Sequence, residues 1–171
     1  RTAGSRGPAP FILEARVEIV TPRLLRPLTL ASIDALIARD RARLDDVSDA
    51  TWPDPLVPPP YVDDALPVFR TQVLAAADDD HLPHWYFLDR WSREVVGMAG
   101  VSPGEGGTLV LGYSVYAAFE GQGLATEAVR ALVEWAFRRT DVARIEATIT
   151  PENGASLRVA AKVGMRHTGE V

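Results

Sequence analysis

Hydrophobic and polar positions along the chain alternate between two periods, and the switches between them mark the elements. Arg23-Leu24-Leu25-Arg26-Pro27-Leu28 reads as a strand that ends near Pro27, because proline cannot donate to a ladder. Thr29 or Ser32 would cap the next helix, whose apolar face is Ile33, Leu36, Ile37 and Leu44. Ser48 to Pro60 holds Trp52 and five prolines and must be a loop; it suits either a substrate-pocket wall or a plain connector. Asp63 and Asp64 open a second helix, with Ala65, Leu66, Phe69, Val73 and Leu74 as its apolar side. Trp85 to Leu88, Val95 to Val101 and Leu109 to Val115 then form a meander of three strands. Phe11 to Val20 is either a strand or an ordered lead-in.

The second half continues in the same manner. After a glycine turn, Ala125, Ala128, Val129, Leu132 and Ala136 mark an amphipathic helix. Ile145, Ala147 and Ile149 alternate with Glu146 and Thr148, which predicts a strand over 144–150. Asn153 caps a short helix bearing Leu157, Val159, Ala160 and Val163, and Gly164 ends it. Met165 to Val171 begins a further strand. This order predicts an α+β, or mixed α/β, fold with a central, mostly antiparallel sheet flanked by helices.

Composition narrows the function. The 171 residues suit one domain, over 11–171, after a flexible tail at 1–10. The formal charge of −5 argues against a nucleic-acid partner. The chain has no cysteine, so thiolate nucleophiles and cysteine-bound zinc are excluded. No segment approaches the about 18 apolar residues of a membrane span, and a cytoplasmic location is the default expectation. His81 and His84 fall in a polar stretch and read as ordinary loop residues rather than metal ligands.

The chemistry concentrates at Phe119-Glu120-Gly121-Gln122-Gly123-Leu124-Ala125-Thr126-Glu127-Ala128. A strand, a glycine turn and a helix start make a backbone cradle for an anion. The backbone N–H groups from Gln122 through Gly123 and Leu124 to Ala125 are the donors expected for a pyrophosphate. Gly121 and Gly123 would allow its close approach. The glycine spacing is not the dinucleotide fingerprint, and no Gly-Lys-Ser/Thr follows, so Rossmann and P-loop readings fail.

Three segments in order resemble the GNAT superfamily of N-acetyltransferases. They are Thr21 to Leu28; Gly112-Tyr113-Ser114-Val115 with Gly121 to Ala128; and Asn153 to Val159 with Lys162-Val163-Gly164-Met165. The closer likeness is to the branch that acetylates ribosomal-protein N-termini and to its small-amine relatives. The resemblance implies acetyl-CoA as cofactor and a V-shaped splay between strands near 109–116 and 144–150. Backbone groups of Val115, Tyr116 and Ala117 would then bond the pantetheine arm.

It further implies contact of Asn153 with that arm. Ser156 would be either a proton donor to the leaving thiolate or a plain helix-start residue. Tyr113 and Tyr116 flank the cleft, and either hydroxyl would face it or pack in the core. The superfamily usually has Arg or Gln where this chain has Glu120, which is expected to point away from the phosphates. Arg158 or Lys162 would compensate its charge, or both are plain surface residues of the helix.

The expected reaction is direct attack of a primary amine in a ternary complex. The acceptor is either a protein N-terminus or an antibiotic, polyamine or other small amine. A catalytically degenerate acyl-CoA-binding domain is the alternative. Glu127 reads as a dipole-compensating residue; Asp46, Asp49 and Asp54 lie near the expected acceptor region, and the sequence does not mark which carboxylate is the base. Relatives close the sheet with one more strand, so the edge at 165–171 is expected to fray, to pair in a homodimer, or to be covered by segment 11–20.

Overall fold

The computed structural model describes residues 19–20, 23–76 and 83–168. Its elements are β1 (Ile19–Val20), β2 (Arg23–Pro27), α1 (Leu30–Ala38), α2 (Arg41–Val47), α3 (Leu66–Ala75), β3 (His84–Asp89), β4 (Val95–Pro103), β5 (Thr108–Val115), α4 (Leu124–Ala136), β6 (Arg144–Glu146) and α5 (Gly154–Lys162). The six strands form one sheet in sequence order, β1-β2-β3-β4-β5-β6. Every pairing is antiparallel except β5–β6, which is parallel. This is the mixed α/β, mostly antiparallel architecture that the element order predicts.

β3 and β4 are central strands, covered on both sides, which is why they read as unbroken apolar runs. Tyr86, Leu88 and Met98 turn to one face and pack with Leu28, Ile33, Leu36 and Leu44 beneath α1 to α3. Leu25, Trp85, Phe87, Ala99 and Val101 turn to the other and meet Leu124, Ala128, Val129 and Leu132 of α4. Trp85 and Trp135 meet edge to face there, their ring centroids 4.9 Å apart.

The first predicted helix is two helices. Arg39 takes a left-handed conformation at φ 56° and its N–H closes onto the Ala35 and Leu36 carbonyls. Asp40 then caps α2, its carboxylate accepting from the Arg43 N–H at 3.0 Å. The turn leaves Ile37 exposed and keeps Leu44 in the core. Thr29 is the cap of α1, accepting from the Ser32 N–H at 3.2 Å.

Asp63 and Asp64 lie in the turn before α3 rather than in its first residues, and Asp63 pairs with Arg39. His84 is not a loop residue. It opens β3 at 1% exposure, stacked on Phe69 at 3.8 Å, with Nε2 2.5 Å from Gln72 Oε1. His81 lies outside the described residues.

The strand predicted over 144–150 stops at Glu146, where its pairing with β5 ends. Residues 165–168 form no strand, and the rest of the predicted last strand lies outside the described residues. Ile19–Val20 pairs with β2 at the far side of the sheet from β6, so this part of segment 11–20 does not cover the C-terminal edge. Among the described residues no helix is long and apolar enough to cross a membrane.

Candidate functional site

The site begins where β5 and β6 part. Their ladder joins Thr108, Leu109 and Val110 to Arg144, Ile145 and Glu146, and then ends. β5 runs on to Val115 with nothing from β6 beside it. This is the predicted V-shaped splay. The cleft it opens measures about 590 Å³ and runs between β5, the start of α4 and the start of α5.

The phase of β5 decides which backbone groups face that gap. The Tyr116 N–H donates to the Val96 carbonyl at 3.1 Å, and Val115 stands opposite Gly97. Hydrogen-bonded and non-bonded pairs alternate in an antiparallel ladder. Tyr113 and Val115 therefore turn their N–H and C=O groups away from β4, toward the side where β6 has left. The Tyr116 amide is committed to β4, and its carbonyl accepts the Phe119 N–H at 2.9 Å, so neither group is turned to the gap as the Val115 groups are.

The Tyr116 side chain also leaves the cleft. It packs against the core beneath α1 to α3, its hydroxyl buried without a partner among the described residues. Burial raises its pKa, against the opposing pull of Arg39 and Arg41. Ala117 sits in the short 3₁₀ turn Ala117–Phe119, exposed and off the cleft lining, where its carbonyl accepts the Glu120 N–H at 3.3 Å.

The glycine turn forms as expected. Gly121 and Gly123 hold φ of 74° and 80°, a region L side chains disfavour. Among the described residues, neither has an atom beyond its own chain neighbours within 4 Å of where a Cβ would stand. The turn thus needs glycine for its backbone conformation, and the space over it is open. Gly123 caps α4 without any side-chain hydrogen bond. The first amides of α4, at Leu124, Ala125 and Thr126, therefore end the helix as uncapped donors facing a cleft that these residues line. Gln122 does not line it; its side chain reaches back to the Ala118 carbonyl at 3.4 Å.

The third segment supplies the opposite wall. Asn153 caps α5, its Oδ1 accepting from the Ser156 N–H at 3.0 Å. Asn153, Ser156 and Arg158 all line the cleft, and Lys162 joins them one turn beyond Arg158. The Tyr113 hydroxyl donates to the Ser156 carbonyl at 3.0 Å, crossing from β5 to α5. Burial raises the Tyr113 pKa, and the Ser156 side chain opposes the rise.

Glu120 is exposed and belongs to the cleft lining. The two basic side chains from α5 share that lining, so the net sign of the wall is positive. Asp46, Asp49 and Asp54 are absent from the lining. Asp49 pairs with Arg93 at 2.5 Å, and Asp54 stands 3.9 Å from Arg41. Glu127 falls in the first turn of α4, the place expected for a dipole-compensating acid.

The proline-rich loop does reach the site, but not through Trp52. That ring is buried against Tyr86, its Nε1–H donating to Ser48 Oγ at 2.8 Å. Pro60 and Tyr61 line the cleft instead. Tyr61 is 85% exposed and holds φ at 66°. The signal in the sequence is the stiff Pro58-Pro59-Pro60 run that ends at an aromatic residue.

The chain matches a family model described as an acetyltransferase (GNAT) domain over residues 23–166. It is similar to a probable N-acetyltransferase, YjcK, of Bacillus subtilis, 42% identical over 62 residues, 36% of this chain and 34% of that one. The chain thus aligns to about a third of that curated relative's length. A second B. subtilis relative, the uncharacterized YkkB, is aligned over 51% of its own length.

Among solved structures, the chain resembles a putative GnaT-family acetyltransferase from Bordetella pertussis. The TM-score is 0.64 at 27% identity, covering 91% of this chain and 92% of that one. Mycobacterium smegmatis RimJ in complex with a CoA disulfide has the same fold, with a TM-score of 0.52 at 24% identity over 83% and 69%. With the parted strands, the uncapped α4 and a family match across most of its length, the chain belongs to the acetyltransferase (GNAT) domain family.

Proposed function

We propose that this protein transfers the acetyl group of acetyl-CoA to a primary amine at the N-terminus of a peptide or protein. The observation that carries the reading is the gap between β5 and β6 beside the uncapped start of α4. The residues present fit the cofactor. Amides of Leu124, Ala125 and Thr126 offer donors to a pyrophosphate, with Arg158 and Lys162 adding charge along the same cleft. The outward-turned backbone of Val115 can pair with the amides of an extended arm, as a strand would. The coenzyme A bound by the RimJ relative supports the same ligand class here.

Acetyl-CoA supplies an activated acyl group as a thioester. With no cysteine in the chain, direct attack by the acceptor amine is the simplest route. Ser156 lines the cleft in the first turn of α5, where its hydroxyl would hand a proton to a leaving thiolate. The acceptor would enter past Pro60 and Tyr61.

Charge favours a monoamine acceptor. The lining carries one carboxylate, Glu120, against two cations, Arg158 and Lys162. A polyamine or an aminoglycoside needs several carboxylates to hold its ammonium groups; a peptide N-terminus carries one amine.

Steady-state release of CoA thiol over a panel of amines tests the reading. Short peptides with free N-termini should turn over, and N-terminally blocked peptides should not. Faster turnover of spermidine or an aminoglycoside would move the acceptor to the small-amine class. Binding of acetyl-CoA without release by any amine would leave a binding domain. Within an active enzyme, Ser156→Ala should cut kcat about 10²-fold with little change in acetyl-CoA affinity if the hydroxyl donates the proton.

A further inference from the structure

The wall formed by α5 is lightly held. α5 carries no fully buried residue; the half-buried Val159 and, at its C-cap, Val163 pack it on the core. Polar ties sit at both of its ends. Near the C-terminal end, Arg130 of α4 donates to the Lys162 carbonyl at 3.0 Å. Near the N-terminal end, the Tyr113 hydroxyl donates to the Ser156 carbonyl at 3.0 Å. The second tie lies beyond the last rung of the β5–β6 ladder, at Val110 and Glu146, so it spans the sheet where the backbone no longer does.

We infer that Tyr113 is a positioning residue: its hydroxyl clasps the first turn of α5 to β5 and so sets the width of the cofactor cleft. This rests on the acetyl-CoA reading of that cleft. The clasp acts through α5. Asn153, whose side chain bonds the Ser156 N–H, and Ser156 itself are carried on the same turn. Holding the Ser156 carbonyl fixes where that turn, its cap and the Ser156 hydroxyl stand relative to the outward-facing backbone of Val115. The Tyr113 ring lies among half-buried residues packed on the core under α4, so it is oriented before any ligand arrives. A hydroxyl already donating to a backbone carbonyl is poorly placed to give its proton to a thiolate. Tyr113 therefore differs in role from Ser156, proposed above as the proton donor.

Tyr113→Phe tests this, since it removes the hydroxyl and keeps the ring. In the free protein, amide exchange at Leu157 to Ala160 should quicken, while the thermal midpoint moves by no more than a few degrees. Acetyl-CoA should bind about three- to tenfold more weakly, the range of one lost hydrogen bond. kcat at saturating acetyl-CoA should stay within about threefold. Saturating acetyl-CoA should restore the α5 protection of Tyr113→Phe to the level of the bound wild type.

Unchanged exchange and unchanged affinity would overturn the clasp. A fall in kcat near 10²-fold with unchanged affinity would overturn it too, by making Tyr113 a catalytic residue. Wild-type protein that binds no acetyl-CoA in calorimetry would overturn the cleft assignment and the positioning role with it. The exchange comparison needs no cofactor, so it separates that failure from an absent clasp.

Discussion

At the scale of single residues, the glycine turn and its neighbour Glu120 carry the sharpest tests. Gly123 holds φ at 80° over open space. Any L residue there costs about 1–2 kcal/mol of backbone strain, but only a bulky one also fills the space an anion would need. Gly123→Ala and Gly123→Leu should therefore lose similar stability, while Leu loses at least tenfold more acetyl-CoA affinity than Ala. Thermal unfolding and calorimetry on the pair check this, and equal affinities would remove the close-approach role. Glu120→Arg replaces the one carboxylate on the lining with a cation. Acetyl-CoA affinity should rise several-fold at low salt, with the gain shrinking as ionic strength increases. A salt-independent loss would mean that Glu120 anchors the turn. The glycines were legible in the sequence because positive φ leaves a compositional mark. The fate of Tyr116 was not, since it depends on which β5 amides β4 takes, and that phase is fixed only when the strands pair.

At the scale of elements, β4 shows what the sequence pattern hides. Val95 to Val101 reads as one apolar run, yet its glycines are steric requirements. A Cβ on Gly97 would stand 2.4 Å from Phe87 Cζ and 2.5 Å from the Ser114 carbonyl oxygen. The first contact is a core ring and the second is backbone of β5, so neither can yield cheaply. Gly97→Ala should cost about 1–3 kcal/mol in denaturant unfolding, the usual range for overpacking. Because β4 pairs directly with the splayed β5 at Gly97–Val115, acetyl-CoA affinity should fall as well. A neutral Gly97→Ala would show that β4 and β5 can separate at no cost. Other element boundaries were hidden for a related reason. Ile33 to Leu44 fits one helical face by spacing alone; the break comes from Arg39 in a left-handed turn, a conformation whose usual glycine mark is absent. The strand at 144–150 is cut to three residues because its neighbour diverges, which no local alternation records.

At the scale of the whole molecule, the order of elements was enough to predict a mostly antiparallel sheet between two helical layers, and the motif order was enough to place the cleft. What the sequence pattern did not mark was a polar chain of one buried and two half-buried residues. Ser102, Gln72 and His84 link β4, α3 and β3. Gln72 Nε2 donates to Ser102 Oγ at 2.9 Å and turns its Oε1 to His84 Nε2 at 2.5 Å. That amide orientation makes Nε2 the protonated nitrogen of a neutral imidazole. Nδ1 is then buried with no partner among the described residues, against Gly100. A second proton would be stranded there, so burial lowers the His84 pKa from 6.5 to about 4. The sign follows from linkage. Between pH 6.5 and about 4 the unfolded chain takes up a proton that the native state refuses, so stability falls as pH is lowered through this window and levels off below it. At about 1.4 kcal/mol per pH unit, His84 alone removes about 3 kcal/mol across the window. Denaturant unfolding at pH 7, 5.5 and 4.5 should show this loss in the wild type. His84→Gln, lacking a titrating ring, should be less stable at pH 7 yet lose markedly less on acidification. Parallel pH profiles for the two proteins would place the acid sensitivity elsewhere in the fold.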